Sequence, residues 1–173
     1  MTRSAFTLIE LLVVMAIVAV LAGIATPVSR RVMHSARATA CVSNERQLGA
    51  ALNLYLAENN MTMPTLAAGR RDKNEEAAVI DNTLNRYVQD ARIFACPADA
   101  QGFAANTGTS YYWNVALNGQ AVSGLHFLFT EDMTRIPILS DKEGFHLYAD
   151  NKVNLLYADG HATQELTFFT GGK

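Results

Sequence analysis

The feature that most constrains this chain is an apolar run near its N-terminus. Residues 11–29 contain no charged side chain, and residues 11–25 are almost wholly apolar. A helix needs about 20 apolar residues to span a bilayer core, and residues 6–25 meet that length. The run exceeds the roughly 7–15 apolar residues of a cleaved secretory signal, although its "LAGIA" imitates a cleavage site. The sequence therefore favours a membrane anchor over a cleaved secretory signal.

One residue departs from this apolar pattern. Glu10 lies at the start of the run, where a lone carboxylate at membrane depth costs about 2.5–3.5 kcal/mol or more. Ordinary signal peptides keep such a residue out of their apolar core. A carboxylate kept within an apolar run despite this cost indicates that Glu10 has a functional role. The alternative is a side chain that only reaches toward the membrane interface.

The helical pattern continues well beyond the apolar run. An apolar stripe interrupted by Asn44 recurs at helical spacing, and its members are Met33, Ala36, Ala40, Cys41, Leu48, Leu52 and Tyr55. The other faces carry the charged residues Arg30, Arg31, Arg37, Glu45, Arg46 and Glu58. We predict one helix over residues 7–59, about 80 Å long, in which Gly23 and Pro27 are the places for a kink.

The rest of the chain predicts a small domain of mixed structure. Residues 75–90 predict a second helix, which Asp72 and Glu75 begin with a capping box, and residues 91–110 predict a loop. Strand-like segments follow at residues 110–117, 125–129, 135–139, 145–149, 153–158 and 161–169. Turns are expected at Asn118-Gly119, at residues 150–152 and at Asp159-Gly160. The predicted fold class is α+β, with a long N-terminal α-helix, half membrane-spanning and half amphipathic, packed on a small antiparallel β-sheet.

Charge and motifs argue against several classes of function. The chain has 173 residues and a net charge of −2, which indicates neither nucleic acid nor an anionic surface as a partner. Arg70, Arg71 and Lys73 form only a small basic loop, so no nucleic-acid partner is expected. The sequence contains no nucleophile, zinc-protease or phosphate-loop motif, so we expect no catalytic residue and no enzymatic activity.

Four residues near the C-terminus carry side chains that can bind metals: His146, Asp150, Asp159 and His161. Their spacing matches no zinc pattern. Asp-Asn and Asp-Gly pairs are also what hairpin turns favour. We therefore interpret Asp150 and Asp159 as turn residues in preference to metal ligands.

The segment "A-FTLIELLVVMAIVAVLAGIATP" resembles the N-terminal signature of type IV pilins and type II secretion pseudopilins. The resemblance implies that prepilin peptidase cuts between Ala5 and Phe6 and that Phe6 becomes N-methylated. It makes Glu10 the assembly glutamate and Pro27 the proline that bends the family's helix. The amine of a mature Phe6 and the Glu10 carboxylate of a neighbouring subunit would neutralise each other in a medium of low dielectric constant.

Two features depart from the family pattern. The leader ends in Ala5 where the family nearly always has Gly, which implies slower processing. Basic residues are also placed unusually, since the leader has only Arg3 while Arg30 and Arg31 follow the apolar run. The positive-inside rule alone would keep the C-terminal domain in the cytoplasm. We follow the family's orientation instead, with the domain outside the inner membrane.

The C-terminal part is similar to a pseudopilin-like branch that carries a His-x9-Asp-Gly motif. The likeness rests on "ACVSNERQLGAALNLYLAENN", "FACPAD", "SYYWN" and "NLLYADGHA". Asp159-Gly160 fits the end of that motif, whereas His146 lies too far upstream for its spacing. Because major pseudopilins bind calcium in C-terminal loops, the resemblance implies Asp141, Asp150 and Asp159 as calcium ligands, although no EF-hand pattern supports them. No other cofactor is expected.

The chain has two cysteines, Cys41 on the helical stripe and Cys96 in the predicted loop. The family's orientation places both in an oxidising compartment, where we predict that they form a disulfide. The alternative is two separately buried free thiols, since Cys is among the most buried residue types.

The resemblance implies a leader over residues 1–5, a membrane and assembly half-helix over 6–29 and a periplasmic or extracellular domain over 30–173. The predicted function is a structural subunit of a type II secretion pseudopilus or a related filament, in a single-pass inner-membrane precursor. Its partners would be itself, other pilins or pseudopilins, prepilin peptidase, the inner-membrane assembly platform and the membrane. The alternatives are a type IV pilus or DNA-uptake pilin, and a signal-anchored extracytoplasmic binding or enzymatic domain.

Overall fold

The computed structural model describes residues 8–146 and 153–163, without the side chain of Pro27. Its α-helices are α1 (Leu8–Glu58), α2 (Ile80–Leu84) and α3 (Phe103–Thr107). Its strands are β1 (Tyr111–Trp113), β2 (Pro137–Asp141), β3 (Leu155–Tyr157) and β4 (Ala162–Thr163). Short 3-10 helices lie at Asn85–Tyr87, Ala91–Phe94, Val115–Leu117, Val122–Gly124 and Met133–Arg135. The predicted α+β arrangement, a long N-terminal helix on a small antiparallel sheet, is confirmed.

Helix α1 has two halves with different surroundings. The buried residues of its second half share one face, and they are Ala38, Cys41, Glu45, Leu48, Gly49, Ala51, Leu52 and Leu56. Met33 and Ala36, which the predicted stripe included, are exposed because the domain covers the helix only from Ala38 onward. Glu45, predicted on an outer face, lies on the buried one.

The first half of α1 continues without interruption through Gly23 and Pro27. On either side of the proline, the hydroxyls of Thr26 and Ser29 donate hydrogen bonds to the carbonyls of Ala22 and Ala25, each at 2.8 Å. Such bonds to the fourth residue back satisfy helical carbonyls within the segment itself. In the described part of the chain, α1 is the one helix whose length and apolar composition suit a membrane span.

The sheet has the order β1-β2-β3-β4 with every neighbouring pair antiparallel. The predicted Asp159-Gly160 turn joins β3 to β4, and Gly160 adopts a φ of 89°, a left-handed conformation that glycine tolerates. Helix α1 packs against β3 and β4. Its Gly49 lies so close to Leu156 that an added Cβ would be 3.2 Å from the leucine side chain. The missing side chain thus lets the helix lie directly on the sheet.

The second helix is shorter than predicted. Instead of residues 75–90, α2 covers Ile80–Leu84 and continues as a single 3-10 turn. The predicted capping pair forms a local turn, in which the Asp72 carboxylate accepts from the Asn74 amide at 2.7 Å. The capping role belongs to Asn82, whose side-chain oxygen accepts from the Val79 amide at 2.9 Å.

One strand prediction is wrong, and another falls mostly outside the described residues. Residues 125–129 form a tight turn closed by the Phe127–Thr130 bridge, in which Leu128 has a φ of 53°. In residues 145–149, Phe145 and His146 are not in a strand, and the others lie outside the described residues. Among the described residues, β3 pairs with β2 on one side and with β4 on the other, and the turn predicted at residues 150–152 lies outside them.

Candidate functional site

Glu10 lies in the first turn of α1 and is exposed. Apolar side chains surround it on the helix, with Leu8 at 81% and Ile9 at 70% exposure. The exposed large apolar residues of this half of α1 are Leu8, Ile9, Leu11, Leu12, Val13, Val14, Met15, Ile17, Val18, Val20, Leu21, Ile24 and Val28. We call residues 8–28 the apolar segment of α1. An apolar surface of this extent needs lipid or another protein to cover it.

The predicted processing residues Ala5 and Phe6 lie outside the described residues. Their roles stay predictions. What the structure adds is the element that follows them, a continuous helix that starts at Leu8 and carries a carboxylate in its first turn. A carboxylate near a helix N-terminus also interacts favourably with the helix dipole.

Cys41 and Cys96 meet where α1 packs against the Ala91–Phe94 turn. The structure joins them as a disulfide with Cα atoms 5.0 Å apart, a separation that a bridge needs. Both residues are buried. Next to them, the Asn44 side chain donates to the Ala95 carbonyl at 3.0 Å, which explains the polar gap in the predicted stripe. We predict that the mature protein carries this bridge.

Beside the disulfide lies a buried polar cluster that the sequence interpretation missed, made of Glu45, Asp141, His146 and Asn154. All four residues are at most 3% exposed. The His146 Nε2 atom lies 3.1 Å from Asp141 Oδ2 and 2.8 Å from Asn154 Nδ2. Asp141 Oδ2 also accepts from the Asn154 amide at 2.8 Å. Burial raises the pKa of Asp141 above its usual value, against these hydrogen bonds, which lower it.

Glu45 is the most unusual member of the buried polar cluster. Neither of its carboxylate oxygens has a hydrogen-bond partner among the described residues. Burial, and to a lesser degree the nearby charge of Asp141, raises the pKa of Glu45 to about 9. Glu45 is therefore protonated at neutral pH, since a buried charge without a partner is far more costly than a neutral acid. Its position three to four residues from Cys41 and Leu48 is the only sequence signal that could have placed it on the buried face.

The predicted calcium ligands do not form one group. Asp141 ends β2 and is buried in the polar cluster. Asp159 follows β3 and its Oδ1 atom lies 2.5 Å from His161 Nδ1. Because Ser140 pairs with Leu155 and Pro137 with Tyr157, these two aspartates lie at opposite ends of the sheet. Asp150 lies outside the described residues, so calcium binding stays a prediction.

The small basic loop is partly used by the fold itself. Arg70 forms an ion pair with Asp81, and its Nε atom donates to the Thr107 carbonyl at 3.2 Å. Its guanidinium is therefore largely buried instead of being presented to a partner.

Comparison with known proteins gives one match. Residues 1–26 match the prokaryotic N-terminal methylation motif, the class III signal. No curated protein and no solved structure matches the chain. The motif and the long apolar helix that follows it are together consistent with a type IV pilin-like protein. They support a type IV pilin-like or pseudopilin precursor that is anchored in a membrane by the apolar segment of α1.

Proposed function

We propose that this protein is a structural subunit of a type II secretion pseudopilus or a related type IV pilus-like filament. The observation that carries the proposal is the N-terminal methylation motif over residues 1–26, which runs directly into the exposed apolar segment of α1. In this proposal the protein acts by assembly and has no catalytic residues. Prepilin peptidase cleaves between Ala5 and Phe6, and Phe6 is then N-methylated.

Glu10 drives assembly through charge pairing. In the lipid-embedded monomer the Glu10 carboxylate and the new amine of Phe6 are each costly. When one subunit's Glu10 meets the amine of its neighbour, the two charges neutralise each other in a medium of low dielectric constant. The apolar segment of α1 supplies the remaining surface, which packs against the same segment of other subunits.

In this proposal the two halves of α1 have different roles. Residues 6–29 anchor the precursor in the inner membrane and form the filament core, and residues 30–173 form the periplasmic or extracellular domain. Arg30 and Arg31 would favour the cytoplasm by the positive-inside rule. The proposed orientation therefore depends on the leader being recognised as a class III signal.

Mass spectrometry of the protein extracted from membranes tests the proposal. A mature chain that begins at N-methyl-Phe6 is expected. An intact Met1 would overturn the proposal in favour of a signal-anchored binding or enzymatic domain, and so would a chain starting near Thr26, which indicates ordinary signal cleavage.

Deletion of the gene then separates the two kinds of filament. Loss of protein secretion with normal surface fibres supports the pseudopilus. Loss of surface fibres or of DNA uptake with normal secretion supports a type IV pilus or DNA-uptake pilin instead.

A further inference from the structure

The disulfide and the buried polar cluster place three metal-binding side chains together, and Asp141 lies against one of them. The ligand atoms of Cys41, Cys96 and His146 all lie within 4.8 Å of one another, and all three residues are buried. Cys96 Sγ is 4.0 Å from His146 Nε2, and the same Nε2 is 3.1 Å from Asp141 Oδ2. These side chains come from α1, the loop after the Ala91–Phe94 turn, the end of β2 and the segment after it.

Two of the separations, from His146 Nε2 to Cys96 Sγ and to Asp141 Oδ2, are close to those of a tetrahedral zinc site. With Zn–S bonds of about 2.3 Å and Zn–N or Zn–O bonds of about 2.0–2.1 Å, neighbouring ligand atoms lie roughly 3.3–3.8 Å apart. His146 Nε2 therefore needs to shift by only a few tenths of an ångström relative to Cys96 Sγ and Asp141 Oδ2. The larger movement is that of the two sulfurs, which must separate from covalent bonding distance by side-chain rotation.

A second observation indicates that protein groups alone do not satisfy this pocket. Among the described residues, both Glu45 oxygens, Asp141 Oδ1 and His146 Nδ1 are buried without a hydrogen-bond partner. Glu45 lies one turn along α1 from Cys41, on the same face of the helix. Buried polar atoms are nearly always paired with protein, water or an ion, so these atoms show that Cys41, Cys96 and His146 lie in a polar pocket.

We propose that the dithiol form of this protein binds one Zn²⁺ through Cys41, Cys96, His146 Nε2 and Asp141 Oδ2. Two thiols and a histidine with a carboxylate are ligands that this borderline-soft cation favours. Binding releases the two thiol protons and leaves both sulfurs as thiolates. The site is closed, because four protein ligands fill the coordination sphere, and it is therefore structural.

The metal site and the disulfide exclude each other. A disulfide donor takes two electrons from the two thiolates, so that the S–S bond forms, the donor is reduced to two thiols and the metal loses half of its ligands. The same contact between α1 and the sheet-bearing domain is thus fastened by Zn²⁺ before oxidation and by a covalent bond afterwards. This inference does not depend on filament assembly.

Cobalt substitution tests the proposal on the full-length protein in detergent micelles. The protein is reduced with a phosphine, and Co²⁺ and then Zn²⁺ are added, while far-ultraviolet circular dichroism monitors folding. One Co²⁺ per chain with a thiolate-to-cobalt charge-transfer band is expected, displaced by an equivalent of Zn²⁺ and absent from the oxidised protein. If the reduced protein unfolds without metal, Zn²⁺ should restore its structure, as in other metal-coupled folds.

His146→Gln removes one ligand and is expected to weaken Co²⁺ binding by at least about tenfold. His161→Gln is the matched control, because His161 is an exposed histidine outside the buried polar cluster and should leave binding unchanged. Three results would overturn the proposal. They are a reduced protein with no charge-transfer band, a band that His146→Gln leaves unaltered, and a reduced protein that stays unfolded in the presence of Zn²⁺.

Discussion

At the scale of single residues, two glutamates of α1 occupy places where a carboxylate is unfavourable, and the reasons differ. Glu10 belongs to the exposed apolar segment, where a partner in an assembly can neutralise it. Glu45 is enclosed by the domain and is neutral because it keeps its proton. One helix therefore carries an exposed carboxylate within its apolar segment and a buried acid within the domain.

We predict that Glu10→Val leaves cleavage before Phe6 intact and abolishes incorporation into filaments. The substitution keeps the apolar helix that inserts into the membrane, and it removes the charge that pairs with a neighbour's amine. Processing is measured by mass spectrometry and incorporation by the amount of protein in sheared filaments. Wild-type filament levels from Glu10→Val would disprove the pairing mechanism.

Glu45 should make the stability of the oxidised domain depend on pH. Its pKa is about 9 in the folded state against an ordinary value of 4.5, so the folded state holds the proton more tightly. The stabilising contribution is complete below pH 4.5, and it is lost as the pH rises toward 9, by at most about 1.4 kcal/mol per pH unit.

Glu45→Gln keeps the size of the side chain and removes this titration. We expect the variant's melting temperature to exceed that of the wild type by an amount that grows between pH 5 and pH 9, with a chelator present throughout. The fluorescence of Trp113, the sole tryptophan and a buried one, reports unfolding of the domain. A difference in melting temperature that is constant with pH would show that Glu45 does not titrate in this range.

At the scale of elements, the disulfide joins α1 to the loop that follows the Ala91–Phe94 turn. Cys41 and Cys96 are 55 residues apart in sequence, so a disulfide between them closes a long loop. In the chain-entropy model this stabilises the folded state by about 4 kcal/mol.

We predict that the unreduced protein, unfolded and treated with a thiol reagent, shows no free thiol. Replacing both cysteines, as Cys41→Ser with Cys96→Ser, should lower the free energy of unfolding by about 4 kcal/mol, measured by urea titration of Trp113 fluorescence. Two reactive thiols in material from an oxidising compartment would mean that the bridge does not form.

The end of α3 depends on a glycine. Gly108 has a φ of 96°, and its amide donates to the Ala104 carbonyl at 3.0 Å to close the helix. A Cβ on Gly108 would collide with the ion pair of Arg70 and Asp81. Both effects oppose any side chain at this position.

Gly108→Ala should therefore destabilise the domain by about 1–3 kcal/mol. Gly124→Ala is the matched control, because an added Cβ there meets nothing within 4 Å, and a change within about 0.5 kcal/mol is expected. Urea titration of both variants measures the difference. Equal effects of the two substitutions would contradict the role given to the Arg70–Asp81 pair.

At the scale of the whole molecule, the domain packs on the second half of α1 and leaves the apolar segment exposed. A cation bound only to the folded domain would add to its stability by mass action. If the predicted calcium ligands bind calcium, a chelator should lower the melting temperature of the oxidised protein, and added Ca²⁺ should restore it. An unchanged melting temperature in excess chelator would remove the calcium hypothesis.

Much of this architecture follows from local sequence. The apolar run and the stripe that continues it predict a helix over residues 7–59, and the described helix ends at Glu58, within a residue of that prediction, because helical periodicity over so long a segment is a strong signal. Asp159-Gly160 predicts the β3–β4 turn, since the left-handed conformation of Gly160 is a local requirement. The methylation motif likewise depends on contiguous residues and is recognisable without a structure.

Only the tertiary structure determines which segments, distant in sequence, pack against each other or pair as strands. Glu45 has the spacing of a buried position but the chemistry of an exposed one, and its burial depends on Asp141 and on the sheet, almost 100 residues further along the chain. Residues 125–129 have strand-like composition but form a tight turn, whereas β3 is a strand of three residues with partners on both edges. Local propensity cannot determine which strand finds an edge or which side chain is enclosed, because both depend on long-range pairing.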